Sequence, residues 1–339
     1  MVRVAVHGAA GKMGRAVVRI LAEGEGAKLS AAIERPGATE LGQDAGTLAG
    51  LGANGVKVAD SLDSALAESD VIIDFTIPAA TAALAERAAE AGVALVVGTT
   101  GLGAGERRAL ERAAERIAIV QSPNMSVGVN VLFNLIAAAA RALGDGFDLE
   151  IVEAHHRQKR DAPSGTALRM AEVLAEATGR DLGAVGVYGR HGEIGARTPS
   201  EIGVMTLRGG DVPGEHTAYF FGLGERIEIT HRASSRETFA RGAVRAALWL
   251  AGLSPRLYDM QDVLGLRRGA SARPRDHGGI GAPRRPRAPT SSETFAPFPP
   301  RRRTRAQEIS TRSPRSIWSR CCSRKRRARR GRWRAPRSR

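Results

Sequence analysis

Groups that can transfer protons or bind anions are concentrated in the segment EAHHRQKRDAPSGT, at positions 153–166. A histidine can donate a proton near neutral pH. Hydroxyls and free backbone amides in a glycine turn suit a small anion such as a carboxylate. The residues concerned are two adjacent histidines, an ammonium group and a short turn: His155, His156, Lys159, Ser164, Gly165 and Thr166. Together they predict a proton donor beside a carboxylate-binding turn.

Paired histidines at the end of an apolar strand also suit a packed core, a helix cap or a metal site. The lysine and the PSGT turn that follow favour the proton donor over a core pair. No nearby cysteine or regular spacing of histidine and carboxylate completes a metal site, so we expect no bound metal.

A glycine-rich turn near the N terminus, within VRVAVHGAAGKMGRAVVRIL, lies between a predicted strand and a predicted helix. Such a turn lets the backbone approach a pyrophosphate at the positive end of the helix. The pattern is G-x-x-G-x-x-G, so an alanine stands at the first glycine of the usual fingerprint, and a turn without a ligand is the alternative. The predicted cofactor-binding residues of this turn are Gly8, Ala9, Ala10, Gly11, Lys12 and Met13.

Two charged residues after the second predicted strand bear on the choice of cofactor. Glu34 follows Gly14 by twenty residues, where a carboxylate accepts hydrogen bonds from the adenosine ribose. Arg35 comes next and can pair with the additional 2′-phosphate of NADPH, an attraction to which Lys12 can add. We therefore expect NADH, NADPH or both to bind.

Two further loops leave predicted strands at the same edge of the sheet, which is where ligands of open parallel sheets bind. We expect the nicotinamide and its ribose to lie against these loops, although ordinary turn chemistry explains either one alone. The residues concerned are Gly98, Thr99, Thr100, Ser122, Pro123, Asn124 and Met125.

Short apolar runs alternate with helical periodicity through the first half of the chain, which predicts a Rossmann-like α/β domain with helices on both faces of a parallel sheet. Five strands are predicted, at about 2–6, 29–33, 71–75, 93–97 and 117–120. The second half reads as strands separated mostly by glycine-rich turns, which predicts a mixed-sheet α+β domain. An amphipathic helix follows, with Ser234 or Ser235 as its expected N-cap.

Charge is distributed very unevenly along the 339 residues. Residues 267–339 hold 24 basic and 3 acidic residues, or +21, whereas the preceding 266 residues carry −5. The basic segment also contains both cysteines and no leucine or valine. We therefore expect a disordered tail, and a body with no thiol for disulfides, zinc or covalent catalysis. The absence of a signal-like N terminus and of a long apolar run predicts a cytoplasmic protein that does not enter a membrane.

The basic tail has two interpretations. A flexible arginine-rich arm would bind nucleic acid in a salt-dependent manner. Alternatively, the tail is translated from an unintended reading frame and has no function. We expect non-specific binding of nucleic acid at most, and no specific nucleic-acid partner.

Seven segments occur in order over residues 1–266: GAAGKMG, Glu34-Arg35, GTTG, SPNMSVGVN, EAHHRQKRDAPSGTA, THRASSRETFARGAVRAALWLAG and LYDMQDVLGL. Together they resemble bacterial 4-hydroxy-tetrahydrodipicolinate reductase, also called dihydrodipicolinate reductase. The resemblance implies a cytoplasmic NADH- or NADPH-dependent step of diaminopimelate and lysine biosynthesis, in which a hydride is added to a small cyclic dicarboxylate.

The resemblance also assigns roles to individual residues. It implies that His155 is the catalytic proton donor and acceptor and that Lys159 is a second catalytic proton donor. His156, Gly165 and Thr166 then fall at substrate-binding positions. On chemical grounds we add Ser164, in the same turn, and Arg236, at the start of the late helix, as further contacts for a substrate carboxylate.

The resemblance implies a domain organisation and an assembly. Residues 1–126, completed by 236–266, would bind the dinucleotide, and residues 127–235 would bind substrate and build a homotetramer. Three features depart from the family pattern. Lys12 stands where many relatives have arginine, which keeps the charge but loses the planar guanidinium. The segment AGLSPRLYDM is an unusual lead into the last motif, and the basic tail has no counterpart.

Two other functions fit a two-domain nucleotide-binding chain. One is a semialdehyde or homoserine dehydrogenase, but a semialdehyde dehydrogenase needs a catalytic cysteine, which the body lacks. The other is a non-catalytic protein that binds nucleotides or nucleic acid, which would have no need of the histidine, lysine and PSGT set.

Overall fold

The computed structural model of the chain describes residues 1–267. The predicted disorder of the basic tail concerns residues 268–339, which lie outside the described residues. All of the site residues predicted from the sequence fall within the described part.

The first half of the chain, joined by one strand at residues 256–258, forms a seven-stranded sheet in which every strand is parallel to its neighbours. Its order is β12-β6-β5-β4-β1-β2-β3, and its strands are β1 (Val2–His7), β2 (Ala27–Ile33), β3 (Val58–Ala59), β4 (Val71–Asp74), β5 (Ala94–Val97), β6 (Ala118–Gln121) and β12 (Arg256–Tyr258). The five predicted strands are confirmed. The two edge strands β3 and β12 were not predicted, because two or three residues are too few to show an alternating pattern.

Helices cover both faces of this sheet, as predicted. Helices α1 (Lys12–Glu23) and α9 (Glu237–Leu250) pack in one apolar layer, and α4 (Pro78–Ala91) and α5 (Ala104–Ala114) pack in the other. The shorter helices are α2 (Ala45–Leu48), α3 (Leu62–Glu68) and α10 (Met260–Val263).

Helix α9 begins later than predicted. Its N-cap residue is Arg236, and the Ser235 hydroxyl accepts a hydrogen bond from the Glu237 amide at 3.2 Å without being the cap. The helix lies very close to the end of the first half of the chain, since a Cβ on Gly242 would come within 1.7 Å of the Met125 carbonyl oxygen. If residues 236–266 complete the first domain, α9 must pack in the core of the parallel sheet, and it does. The domain boundaries themselves remain a prediction.

The second half contains a five-stranded mixed sheet of order β11-β10-β7-β9-β8, which confirms the predicted fold class. Its strands are β7 (Asp148–His155), β8 (Gly186–Val187), β9 (Ile202–Arg208), β10 (Gly214–Phe221) and β11 (Arg226–Ala233). Strand β10 runs antiparallel to both β7 and β11, whereas β7, β9 and β8 are parallel. The apolar core on one face of this sheet is completed by α6 (Val127–Leu143) and α7 (Gly165–Thr178), and α8 (Leu182–Val185) packs at its margin.

Helix α6 and the short helical turn that follows it, Val127–Gly146, are together apolar and long enough to cross a membrane by length and composition alone. Leu132, Ile136 and Ala140 of this helix are nevertheless buried in the core of the second sheet. The apolar composition of α6 is therefore that of a helix packed in a protein core.

Candidate active site

The predicted catalytic residues and all of the predicted nicotinamide-binding residues except Ser122 line one cavity of about 390 Å³. The carboxyl ends of β4, β5 and β6 bound it on one side, and the segment that follows β7 bounds it on the other. Its walls include ten of the predicted residues: Met13, Gly98, Thr99, Thr100, Pro123, Asn124, Met125, His155, His156 and Lys159. Arg236, the further predicted carboxylate contact, lines it as well.

The glycine turn between β1 and α1 has the close backbone packing that a pyrophosphate cradle needs. Gly8 has a φ of +81°, and a Cβ there would lie 2.9 Å from the Phe75 carbonyl oxygen. A Cβ on Gly14 would lie 2.1 Å from the Gly8 carbonyl oxygen, so α1 starts directly against the turn. Ala9 is buried at the position of the missing glycine. These residues fit a dinucleotide held at the positive end of α1.

Glu34 lies beside this turn, since the Gly8 and Ala9 amides both donate to the carbonyl of Ile33, at 2.8 and 3.0 Å. The Arg35 side chain is exposed, and its amide donates to the Glu34 carboxylate at 3.0 Å. The side chains of Glu34, Arg35 and exposed Lys12 do not line the cavity and lie at or beside the β1–α1 turn. This is where the adenosine end of a dinucleotide would lie.

In the two predicted nicotinamide loops, some side chains are hydrogen-bonded within the protein and others are exposed to a ligand. Thr99 is 3% exposed and its hydroxyl donates to Asp74, whereas Thr100 is exposed. Ser122 is also buried, and its hydroxyl donates to the Asn124 carbonyl at 2.9 Å. The Thr99 and Ser122 hydroxyls thus hold the loops in shape. Cofactor contacts from these two residues stay a prediction.

His155 is held by a buried carboxylate two residues earlier on β7. The Nδ1 atom of His155 lies 2.6 Å from Oε2 of Glu153, which is completely buried. A carboxylate can only accept, so this contact places a proton on Nδ1 and leaves Nε2 as the nitrogen that can exchange a proton with a ligand. The sequence segment contained Glu153, but no role was predicted for it.

Glu153 accepts hydrogen bonds from several other parts of the second domain. Both terminal nitrogens of Arg208 donate to it, at 2.8 and 2.9 Å, and the Thr206 hydroxyl and the Ser164 amide donate at 3.1 and 3.0 Å. Burial alone would raise the pKa of Glu153. The hydrogen bonds from His155, Arg208 and the Ser164 amide outweigh burial and lower that pKa to about 2. The group is therefore a carboxylate throughout the physiological range.

Lys159 lines the cavity but is paired in this conformation. Its ammonium nitrogen lies 2.9 Å from the carboxylate of Asp161, which is 60% exposed. An ion pair with so exposed a partner is weak, so a ligand carboxylate can replace Asp161. The loop is itself fixed by Arg208, which donates to the Asp161 carbonyl at 2.6 Å.

The PSGT turn forms the N terminus of α7. Ser164 is its N-cap, and the Ser164 hydroxyl accepts from the Ala167 amide and lies 3.1 Å from Nε2 of His216. The first amides of a helix have no intrahelical acceptor, so those of Gly165 and Thr166 are available to an anion. The Ser164 hydroxyl shapes the turn from inside the protein, and its direct contact with substrate stays a prediction.

One hydrogen bond joins the predicted cofactor side of the cavity to the predicted substrate side. The Asn124 side-chain amide donates to the Thr166 hydroxyl at 3.0 Å. Gly165 does not line the main cavity but borders an adjoining cleft, together with Thr99, Thr100 and Pro123. The predicted cofactor loops and the predicted substrate turn are thus direct neighbours.

Four cavity residues were not predicted: Phe75, Thr76, Pro213 and Phe239. Phe75 and Thr76 follow β4 at the same sheet edge as the predicted loops, and that position was a usable signal. Phe239 lies one helical turn after Arg236. Pro213 precedes β10, and only the pairing of β10 with β7 brings it to the cavity. Within residues 1–267, no group of three histidine, cysteine or acidic side chains is arranged to hold a metal ion.

Two family models match consecutive parts of the chain. Residues 2–125 match the model for the N-terminal part of dihydrodipicolinate reductase, and residues 128–264 match the model for its C-terminal part. Individual proteins of this family are also similar in sequence over their whole length. The 4-hydroxy-tetrahydrodipicolinate reductase of Anaeromyxobacter sp. (strain Fw109-5) is 60% identical over 267 residues, which cover 79% of this chain and 99% of that protein. The enzyme of the same name from Syntrophotalea carbinolica is 54% identical, covering 79% and 100%.

A solved structure has the same fold. It is dipicolinate-bound dihydrodipicolinate reductase from Paenisporosarcina sp. TG-14, with a TM-score of 0.62 and 25% sequence identity. The match covers 77% of this chain and 98% of that one.

The environment of His216 predicts how stability depends on pH. Burial, reinforced by the neighbouring His155, lowers the pKa of His216 from 6.5 to about 3. The unfolded chain therefore binds more protons than the folded protein between these values, and stability falls as the pH falls through that window. The free energy of unfolding of the wild-type protein should fall between pH 7 and pH 5. We expect this fall to be smaller in His216→Gln by about 1 to 2 kcal/mol. Urea titrations at both pH values measure it, with His191→Gln, in an exposed loop, as the control. An unchanged pH dependence in His216→Gln would contradict the assignment.

Proposed function

Because the chain belongs to the dihydrodipicolinate reductase family, we propose that it reduces 4-hydroxy-tetrahydrodipicolinate to tetrahydrodipicolinate with NADH or NADPH. This reaction is a step of diaminopimelate and lysine biosynthesis. The observation that carries the proposal is the meeting of His155 and Lys159 with the predicted nicotinamide loops in one cavity.

The reaction sets the demands on the protein. NADH or NADPH supplies a hydride when bound, and the substrate also takes up one proton and loses one water. The protein must therefore hold a dicarboxylate ring in a fixed orientation and deliver a proton to it. Fixed orientation of the reacting groups is itself a large part of catalysis.

His155 is the proton donor in this proposal. Glu153 holds Nδ1, so the proton that is transferred is carried by Nε2. The bidentate contact with Arg208 fixes the Glu153 carboxylate, and the carboxylate in turn fixes the orientation of the imidazole. A positioned donor of this kind contributes a rate enhancement of about a hundredfold or more.

The two carboxylates of the substrate find cationic and amide groups around the cavity. We assign one carboxylate to the α7 amides at Gly165 and Thr166 together with Lys159, which would exchange Asp161 for it. Arg236, which also lines the cavity, is available to the second. Lys159 also serves as the second proton donor, and His156 adds a polar contact from its position in the cavity wall.

The fit of the cofactor rests on the β1–α1 turn, where close packing at Gly8 and Gly14 lets α1 begin directly against the turn. Glu34 would accept hydrogen bonds from the adenosine ribose, and Arg35 and Lys12 would attract a 2′-phosphate. The exposure of both basic side chains supports binding of NADPH as well as NADH.

We further propose that copies associate through the open face of the second sheet into a homotetramer. Helices α6 and α7 cover the other face. The open face carries Leu207, which is 56% exposed, and Phe221, which is 37% exposed and stacks on Tyr219. Apolar residues on an uncovered sheet face favour association. The protein acts in the cytoplasm in this proposal, and the basic tail binds nucleic acid only non-specifically.

The experiment that tests the proposal is an assay with the product of dihydrodipicolinate synthase, following oxidation of NADH and NADPH separately. We expect cofactor oxidation that depends on this product. His155→Ala and Lys159→Ala should each lower kcat about a hundredfold, while NADH affinity measured by fluorescence stays within about twofold, because neither side chain belongs to the dinucleotide turn. His191→Ala is the control. Oxidation that does not require the synthase product would overturn the proposal, and near-normal turnover in either variant would overturn its assigned role.

Arg35 should determine part of the cofactor preference. Arg35→Ala should weaken NADPH about tenfold more than NADH, since a charge-assisted contact with phosphate contributes roughly 1.5 to 3 kcal/mol and only NADPH has the 2′-phosphate. Dissociation constants for both cofactors measure this directly. Equal losses for the two cofactors would show that Arg35 does not contact that phosphate.

A further inference from the structure

A second buried carboxylate, Asp74, lies at the carboxyl end of the parallel sheet. It is the last residue of β4 and has no exposed surface. Its Oδ1 atom accepts from Nδ1 of His7 at 2.9 Å and from the Thr76 hydroxyl at 2.7 Å. Its Oδ2 atom accepts from the hydroxyls of Thr81 and Thr99, at 2.5 and 3.0 Å. Four side chains therefore donate to one carboxylate.

The donors come from four segments of the chain. His7 ends β1 immediately before the dinucleotide turn, Thr76 lies in the loop after β4, and Thr99 lies in the loop after β5. Thr81, in the first turn of α4, is completely buried. Three of the four donors thus belong to the ends of strands that carry cofactor loops, and only Thr81 does not.

The other residues of β4 are apolar and completely buried, as expected for a central parallel strand. A charge at such a position is unfavourable unless several donors compensate it, and an apolar side chain would fill the space without that requirement. Packing of the sheet alone therefore does not account for Asp74, whereas the fixing of its donors does.

The loops that Asp74 connects are in tight contact. The Thr99 hydroxyl donates to Asp74 and accepts from the Thr76 amide at 3.1 Å, so it joins the two loops. A Cβ on Gly98 would lie 2.1 Å from the Phe75 ring, so the two loops are packed too closely to approach each other further. The position of one loop consequently sets that of the other.

We propose that Asp74 is a positioning residue that sets the nicotinamide-binding loops through the Thr99 hydroxyl. Thr99 then contributes its backbone to the cavity wall, and its hydroxyl is not a cofactor ligand. The inference rests on the proposed NAD(P)H-dependent function. It assigns Asp74 and Thr99 a role in cofactor affinity that Thr81, bonded to the same carboxylate, does not share.

Two isosteric substitutions separate positioning from stability. Thr99→Val and Thr81→Val each remove one hydroxyl from the same oxygen of Asp74, and both residues are buried. We expect the two variants to lower the thermal midpoint by comparable amounts. Thr99→Val should raise the NADH dissociation constant, measured by fluorescence without substrate, by about tenfold, a change that corresponds to one buried hydrogen bond. Thr81→Val should change it less than about twofold, and Thr99→Ser, which keeps the hydroxyl, should restore it.

Equal effects of Thr99→Val and Thr81→Val on NADH affinity would overturn the inference, because Asp74 would then be only structural. Wild-type affinity in Thr99→Val would also overturn it. Failure of the wild-type protein to bind either cofactor is a different result, since it would overturn the proposed function as well. If Thr99→Val does not fold, hydrogen exchange on the wild-type protein decides: NADH should slow exchange of the Thr76 amide, and unchanged exchange there would reject the inference.

Discussion

The carboxylate of Glu153 is the constraint on which the candidate active site depends. It is completely buried on the central strand of the second sheet. Its charge is stabilised there because His155, Arg208, Thr206 and the Ser164 amide all donate hydrogen bonds to it. Removing one donor would leave a buried charge undercompensated, so the arrangement is rigid. The proton donor, the lysine-bearing loop and the N terminus of α7 are thereby held relative to one another.

Each of the two sheets has a buried carboxylate at or near the carboxyl end of an interior strand. Asp74 of β4 holds the ends of the predicted cofactor loops, and Glu153 of β7 holds the groups proposed for proton transfer and substrate binding. The hydrogen bond from Asn124 to Thr166 crosses between the two sets. Hydrogen bonds within the protein thus fix both halves of the site, and a fixed geometry is what hydride transfer between two bound molecules requires.

The sequence was sufficient to predict both sheets and the cavity residues His155 and Lys159, because short contiguous segments carry those signals. It was not sufficient for Arg208 and His216, whose positions depend on how β9 and β10 align with β7. Asp74 was read only as a strand residue, since nothing local shows that four donors converge on it. Strands of two or three residues, such as β3 and β12, lacked any period that could be recognised.

The most direct test of the account compares Glu153→Gln with Glu150→Gln. Both residues lie on β7 and each accepts from arginine, but Glu150 points to the opposite face, where it is bonded to Arg190 and Arg197. Glu153→Gln should lower kcat at least tenfold, because an amide cannot enforce the proton on Nδ1 of His155, while NADH affinity stays within about twofold. Glu150→Gln should keep its turnover. Normal turnover in a folded Glu153→Gln protein would contradict the account.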